Sequence, residues 1–71
     1  MDAVTRKVYS YMKSLSDRNG FPPTVRQTAE QLDLEVRQVE EALHQMEQLG
    51  KIVITDIPAK SIIEFVGEEP E

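Results

Sequence analysis

The stretch Gly20-Phe21-Pro22-Pro23-Thr24, running on into Val25-Arg26-Gln27-Thr28-Ala29-Glu30-Gln31-Leu32, decides the fold. Asn19-Gly20 stops the helix that precedes it, because glycine takes the left-handed conformation that closes a helix without a side-chain clash. Pro22 and Pro23 hold the next residues extended, and the residue before each proline is steered out of helical geometry. Thr24 is then placed to cap a short helix that turns Val25, Ala29 and Leu32 inward and Arg26, Gln27, Glu30 and Gln31 outward. Gln27 supplies the weaker form of the capping box. Asp33-Leu34-Glu35 makes a bend with Leu34 turned inward, and Val39, Ala42, Leu43 and Met46 line the inner side of a further helix, with Val36 at its margin. A rigid turn, a helix, a tight bend and a second helix make a helix-turn-helix.

Working outward, Val4, Val8, Tyr11, Met12 and Leu15 recur at spacings of three and four, one buried helical stripe. The spacing predicts helices over 3–18, 24–32 and 36–49. After Gly50 the period changes to that of a strand: Ile52 and Ile54 fall on one side, and Val53, Thr55 and Ile57 on the other. Ser61 to Val66 forms a second β-branched run, with Pro58-Ala59-Lys60 as the turn between them. Strands are expected near 52–57 and 61–66. A two-stranded hairpin is unstable alone and must lay one face on the helices. The fold class is therefore mainly α with a small β-hairpin, a three-helix winged helix-turn-helix over residues 1–66. Gly67-Glu68-Glu69-Pro70-Glu71 is expected to be an acidic, solvated, disordered tail.

Seventy-one residues hold one small core. There is no cysteine to staple it or to bind zinc through thiolates, so stability rests on packing. No apolar run approaches the roughly 18 residues of a membrane span, and no signal peptide is legible, which makes the cytoplasm the expected location. The net charge of -5 opposes broad attraction to nucleic acid. Its distribution is uneven: residues 1–23 balance at +2, residues 24–49 at -4 and residues 50–71 at -3, by count of the charged side chains.

The run from Gly20 through Pro22-Pro23-Thr24 to Ala29-Glu30-Gln31-Leu32 resembles the N-terminal DNA-binding domain of LexA-type repressors, where a Gly-x-Pro-Pro-Thr turn leads into the second helix. The likeness extends more loosely over residues 4–66. It takes in Val39-Glu40-Glu41-Ala42-Leu43 in the recognition helix and Gly50-Lys51-Ile52 leading to the wing. The resemblance implies a winged-helix regulator that binds operator DNA as a dimer. The bend at Leu34-Glu35-Val36 is shorter than the serine-rich turn of that family, so the register of reading residues does not carry over. The self-cleaving Ser-Lys peptidase and the dimerisation carried by the family's C-terminal domain are not expected of these residues, and a homodimer would have to form through the 71 present.

Little in the chain suggests catalysis. His44 is the only histidine, with no histidine or cysteine near it in sequence to complete a ligand set, and it reads as solvated or as a phosphate contact. Glu40 and Glu41 are adjacent on a helix and do not face each other, unlike a catalytic carboxylate pair. The glycines at 20, 50 and 67 stand too far apart for a phosphate loop. Neither enzyme activity nor a cofactor or metal is expected.

A third helix that enters the major groove presents Arg37, Gln38, Glu41, His44 and Gln45 to base edges. Arginine pairs with guanine and glutamine with adenine, whereas glutamate accepts only from cytosine N4 and repels phosphate. Phosphate contacts are expected from Arg26 and from Lys60 at the wing tip, with Arg6, Lys7 and Lys51 as further cations. Thr24 and Thr28 are expected to add neutral contacts at the start of the second helix. The rival class is an acidic winged-helix protein-interaction module without DNA binding of its own. It would take a basic or apolar protein partner, or pair with itself along the wing isoleucines Ile52, Ile54, Ile62 and Ile63.

Overall fold

The structure, a computed structural model, describes residues 1–58 and 60–66, with backbone only at 56, 57, 60 and 61. The expected tail 67–71 and Ala59 of the wing turn lie outside the described residues. The elements run α1 (Ala3–Asn19), α2 (Val25–Leu32), α3 (Val36–Gln48), β1 (Ile52–Ile57) and β2 (Lys60–Phe65).

Each helix boundary has a chemical cause. Asp2 caps α1, its Oδ1 accepting from the Thr5 backbone N–H at 2.8 Å. Gly20 ends that helix at φ 89°, its N–H donating to Ser16 O at 2.8 Å. Thr24 caps α2 as expected, with its Oγ1 accepting from Gln27 N–H at 3.0 Å. Asp33 then stops α2 at φ 58°, in the left-handed region that aspartate tolerates better than most residues. Leu34 N–H reaches back to Ala29 O at 2.8 Å. At the start of α3 the Glu35 backbone N–H donates to Gln38 Oε1 at 3.0 Å, the half of a capping box that the third helical residue supplies.

The core lies where the three helices meet the base of the hairpin. Val8 and Met12 from α1, Ala29 from α2, Val39, Ala42, Leu43 and Met46 from α3, and Ile52 from β1 form one buried cluster. Tyr11, Leu32 and Leu34 close its margins. Leu15 is half-buried, and Pro23 is buried beneath the rigid turn while Phe21 remains 66% exposed.

β1 and β2 pair antiparallel in the register Ile52↔Phe65, Val53↔Glu64, Ile54↔Ile63 and Thr55↔Ile62, closing at Ile57↔Lys60. Lys60 therefore opens β2, one residue earlier than the sequence suggests. Strand alternation sends Ile52, Ile54, Ile63 and Phe65 onto the helices and leaves Val53 and Ile62 outside. Tyr9 of α1 meets Phe65 edge-on at 5.6 Å between ring centroids, and Lys13 Nζ lies 5.8 Å from the same ring, so α1 holds the foot of the wing. The four isoleucines expected to offer self-pairing differ in exposure. Ile52 is buried, Ile54 and Ile63 pack on the core, and Ile62 alone of the four is exposed.

Candidate nucleic-acid interface

α3 sets the site because its inner stripe fixes its outer one. With Val39, Ala42, Leu43 and Met46 turned into the core, the 3.6-residue period brings Arg37, Glu41, His44 and Gln48 to the opposite side. A shallow groove of about 430 Å³ is lined by Arg37, Glu40, Glu41, His44, Gln45 and Gln48. Gln38 lies at its α1 side, in a smaller cleft it shares with Asp2, Thr5, Glu41 and Gln45. On the wing side Glu40 and His44 border an apolar hollow of about 250 Å³ completed by Val25, Leu43, Ile54 and Ile63. Of the five residues expected to face bases, Arg37, Glu41, His44 and Gln45 share one groove and Gln38 stands at its edge.

Hydrogen bonds sort these residues further. Arg37 Nη2 stands 3.6 Å from Glu35 Oε1, an exposed pair that holds the groove's one cation beside a carboxylate. His44 Nε2 and Gln48 Nε2 are 3.4 Å apart. Gln38 uses its carbonyl to cap its own helix. Gln45 Oε1 accepts from the hydroxyl of Thr5, a buried residue of α1, at 3.1 Å. The Asp2 carboxyl beside them is held below its ordinary value of 3.8, chiefly by the Thr5 backbone N–H and next by the Thr5 hydroxyl. Burial opposes this, and the amino terminus and the Gln45 side chain add smaller lowering effects.

The expected phosphate contacts divide. Thr24 and Arg26 are exposed at the start of α2. Thr28 is 0% exposed, and its Oγ1 donates to Thr24 O at 2.9 Å. The backbone of Lys60 stands at the start of β2, and its side chain lies outside the described residues. Arg6, Lys7 and Lys51 are exposed, with Arg6 Nη2 donating to Met1 O at 3.3 Å.

Sequence reasoning passed over Glu40, Gln48 and Thr5. For Glu40 and Gln48 the signal was present, since each lies four residues from His44 along α3. Thr5 carries no such local sign, because its partner Gln45 is 40 residues away. Among the described residues no group of histidine, cysteine or carboxylate side chains could hold a metal ion, and no helix is long and apolar enough to cross a membrane.

The model of one protein family, the LexA DNA binding domain, matches residues 2–61. Neither a curated relative nor a solved structure matches the chain.

Proposed function

This chain belongs to the LexA DNA-binding domain family, a non-catalytic DNA-binding module with a regulatory role, and on that premise we propose that it reads double-stranded DNA sequence-specifically. α3 enters the major groove with Arg37, Gln38, Glu41, His44 and Gln45 toward base edges, while the wing lies along the phosphate backbone. Thr24 and Arg26 meet phosphates at the start of α2, and Lys60 meets one from the wing. Such a regulator works beside the chromosome in the cytoplasm, and a homodimer would give it a two-fold site with half-sites about one helical turn apart.

The observation that carries this reading is the convergence of four of the five expected residues in one open groove on the outer face of the second helix of the helix-turn-helix. Selection of bound duplexes from a random pool at low salt tests it. Enrichment of one sequence class supports it, and a folded chain that enriches no duplex sinks it.

A second reading is favoured by the charge of the same groove, where Glu40 and Glu41 stand against Arg37 and Arg37 is drawn to Glu35. An acidic helix face of this kind suits a basic protein partner. On that reading the random pool yields no sequence, and neutralising Glu41 produces no measurable binding to DNA.

A further inference from the structure

Thr5 is an unusual residue to find beneath a DNA-facing groove: it sits on α1, is 2% exposed, and donates its hydroxyl to Gln45 Oε1 at 3.1 Å. Among the described residues no buried side-chain polar atom is left without a partner, and for this hydroxyl Gln45 Oε1 is an acceptor within hydrogen-bond distance, beside the Asp2 carboxylate. An amide and a hydroxyl can bond in either sense, and the structure sets the amide with its oxygen toward Thr5. The Asp2 carboxylate is an acceptor that borders the same cleft, and the Thr5 hydroxyl and, less strongly, Gln45 help to hold its charged form. With the oxygen on Thr5, the Gln45 nitrogen is left to face the carboxylate side.

We propose that Thr5 is a specificity-determining residue that acts through Gln45, fixing its amide so that this position offers DNA an N–H donor and withholds the carbonyl acceptor. The proposal rests on α3 reading base edges. Its consequence follows from the edges themselves. Glutamine recognises adenine by accepting from N6 and donating to N7 together, which requires both amide atoms to be free. A clamped oxygen removes half of that pair. The remaining N–H suits an edge that accepts, guanine through N7 and O6 or thymine through O4. Adenine still offers N7 to that N–H but sets its N6 donor beside it, so Gln45 is expected to favour guanine or thymine over adenine, contrary to the usual pairing of glutamine.

Duplex selection with four proteins tests this: the wild type, Gln45→Ala, Thr5→Val and Thr5→Ser. The position that becomes degenerate in Gln45→Ala is the one Gln45 reads. There the wild type and Thr5→Ser should prefer guanine or thymine over adenine by roughly tenfold. Thr5→Val keeps the buried shape and loses the donor, so adenine should enter at that position while the rest of the selected sequence stays unchanged. A merely structural role for Thr5 would weaken every position alike. Side-chain amide ¹⁵N relaxation in the free protein gives an independent readout: the Gln45 amide should be rigid in the wild type and in Thr5→Ser, and mobile in Thr5→Val. Adenine preferred by the wild type at that position, no position lost in Gln45→Ala, or a preference unchanged in Thr5→Val overturns the proposal. If the wild type enriches no duplex, the DNA reading of α3 fails. An amide that is mobile in the wild type overturns the clamp itself.

Discussion

Leu43 stands on the inner stripe of α3 beside Val39 and Met46, at 5% exposure. Truncation to alanine leaves a cavity beside Val25 of α2 and Ile54 and Ile63 of the hairpin, which in so small a core cannot fully collapse. Leu43→Ala should cost about 2 to 5 kcal/mol in thermal or denaturant melts, and a loss under about 0.5 kcal/mol would place the residue at the surface. Arg37 illustrates the opposite case, an exposed side chain with no role in the core. Removing it should leave the melt unchanged and weaken a preferred duplex by about 1 to 3 kcal/mol, with the preference relaxed at one position. A uniform loss across all duplexes would make Arg37 a phosphate contact. Residue roles were legible where a side chain's surroundings are local. Thr28 shows the limit: the sequence offers it as a neutral phosphate contact near the start of α2, and the structure buries it on one stripe with Val25, Ala29 and Leu32, its hydroxyl donating to a backbone partner one turn back. That stripe was in the sequence. The Thr5 to Gln45 bond was not, since only the packing of α1 on α3 creates it.

At the scale of elements, the order of helices and strands was readable because each boundary carries its own chemistry. Gly20, Thr24 and Gly50 are local signals that act before any tertiary contact forms. Asp33 was less legible, since aspartate merely tolerates the left-handed turn that glycine favours. Its conformation makes a test. A β-branched residue there should lower stability by about 1 to 2 kcal/mol, so Asp33→Val should melt earlier than Asp33→Gly, and equal melts would mean that the bend does not need this geometry. The cap of α1 gives a pH test. Asp2 has a folded value below its ordinary 3.8, so the unfolded chain binds the proton more readily than the native one. The contribution of the cap is complete above the ordinary value and is lost as pH falls through the lowered folded one. Asp2→Asn keeps a capping oxygen and does not titrate. Comparison of its melts with those of the wild type should show the wild type losing ground only below pH 3.8, and parallel curves through that range would assign the acid sensitivity elsewhere.

For the whole molecule, the difficulty is how a chain of net charge -5 approaches a polyanion. α3 brings Glu40 and Glu41 into the groove with one arginine, so if that groove meets DNA the attraction has to come from beside it, and Arg26 and Lys60 are the proposed sources. Few cations mean few released counterions. If those two residues supply the phosphate contacts, the logarithm of affinity should fall against the logarithm of salt with a slope of about -2, and Lys60→Ala should reduce it by about one while weakening all duplexes alike. Glu41→Gln then separates repulsion from recognition. The exchange removes a negative charge and retains a hydrogen-bonding side chain, so affinity for every duplex should rise at low salt. Because the Debye length shrinks from about 10 Å at 0.1 M to about 3 Å at 1 M, that gain should fade as salt is added. Whatever preference remains different between the two proteins at high salt belongs to the base edge that Glu41 accepts from, and cytosine is the base whose amino group it fits. Titration of one selected duplex and one scrambled duplex across a salt series measures both quantities. A gain that persists undiminished at high salt and is equal on the two duplexes would show that Glu41 neither repels the backbone nor reads a base.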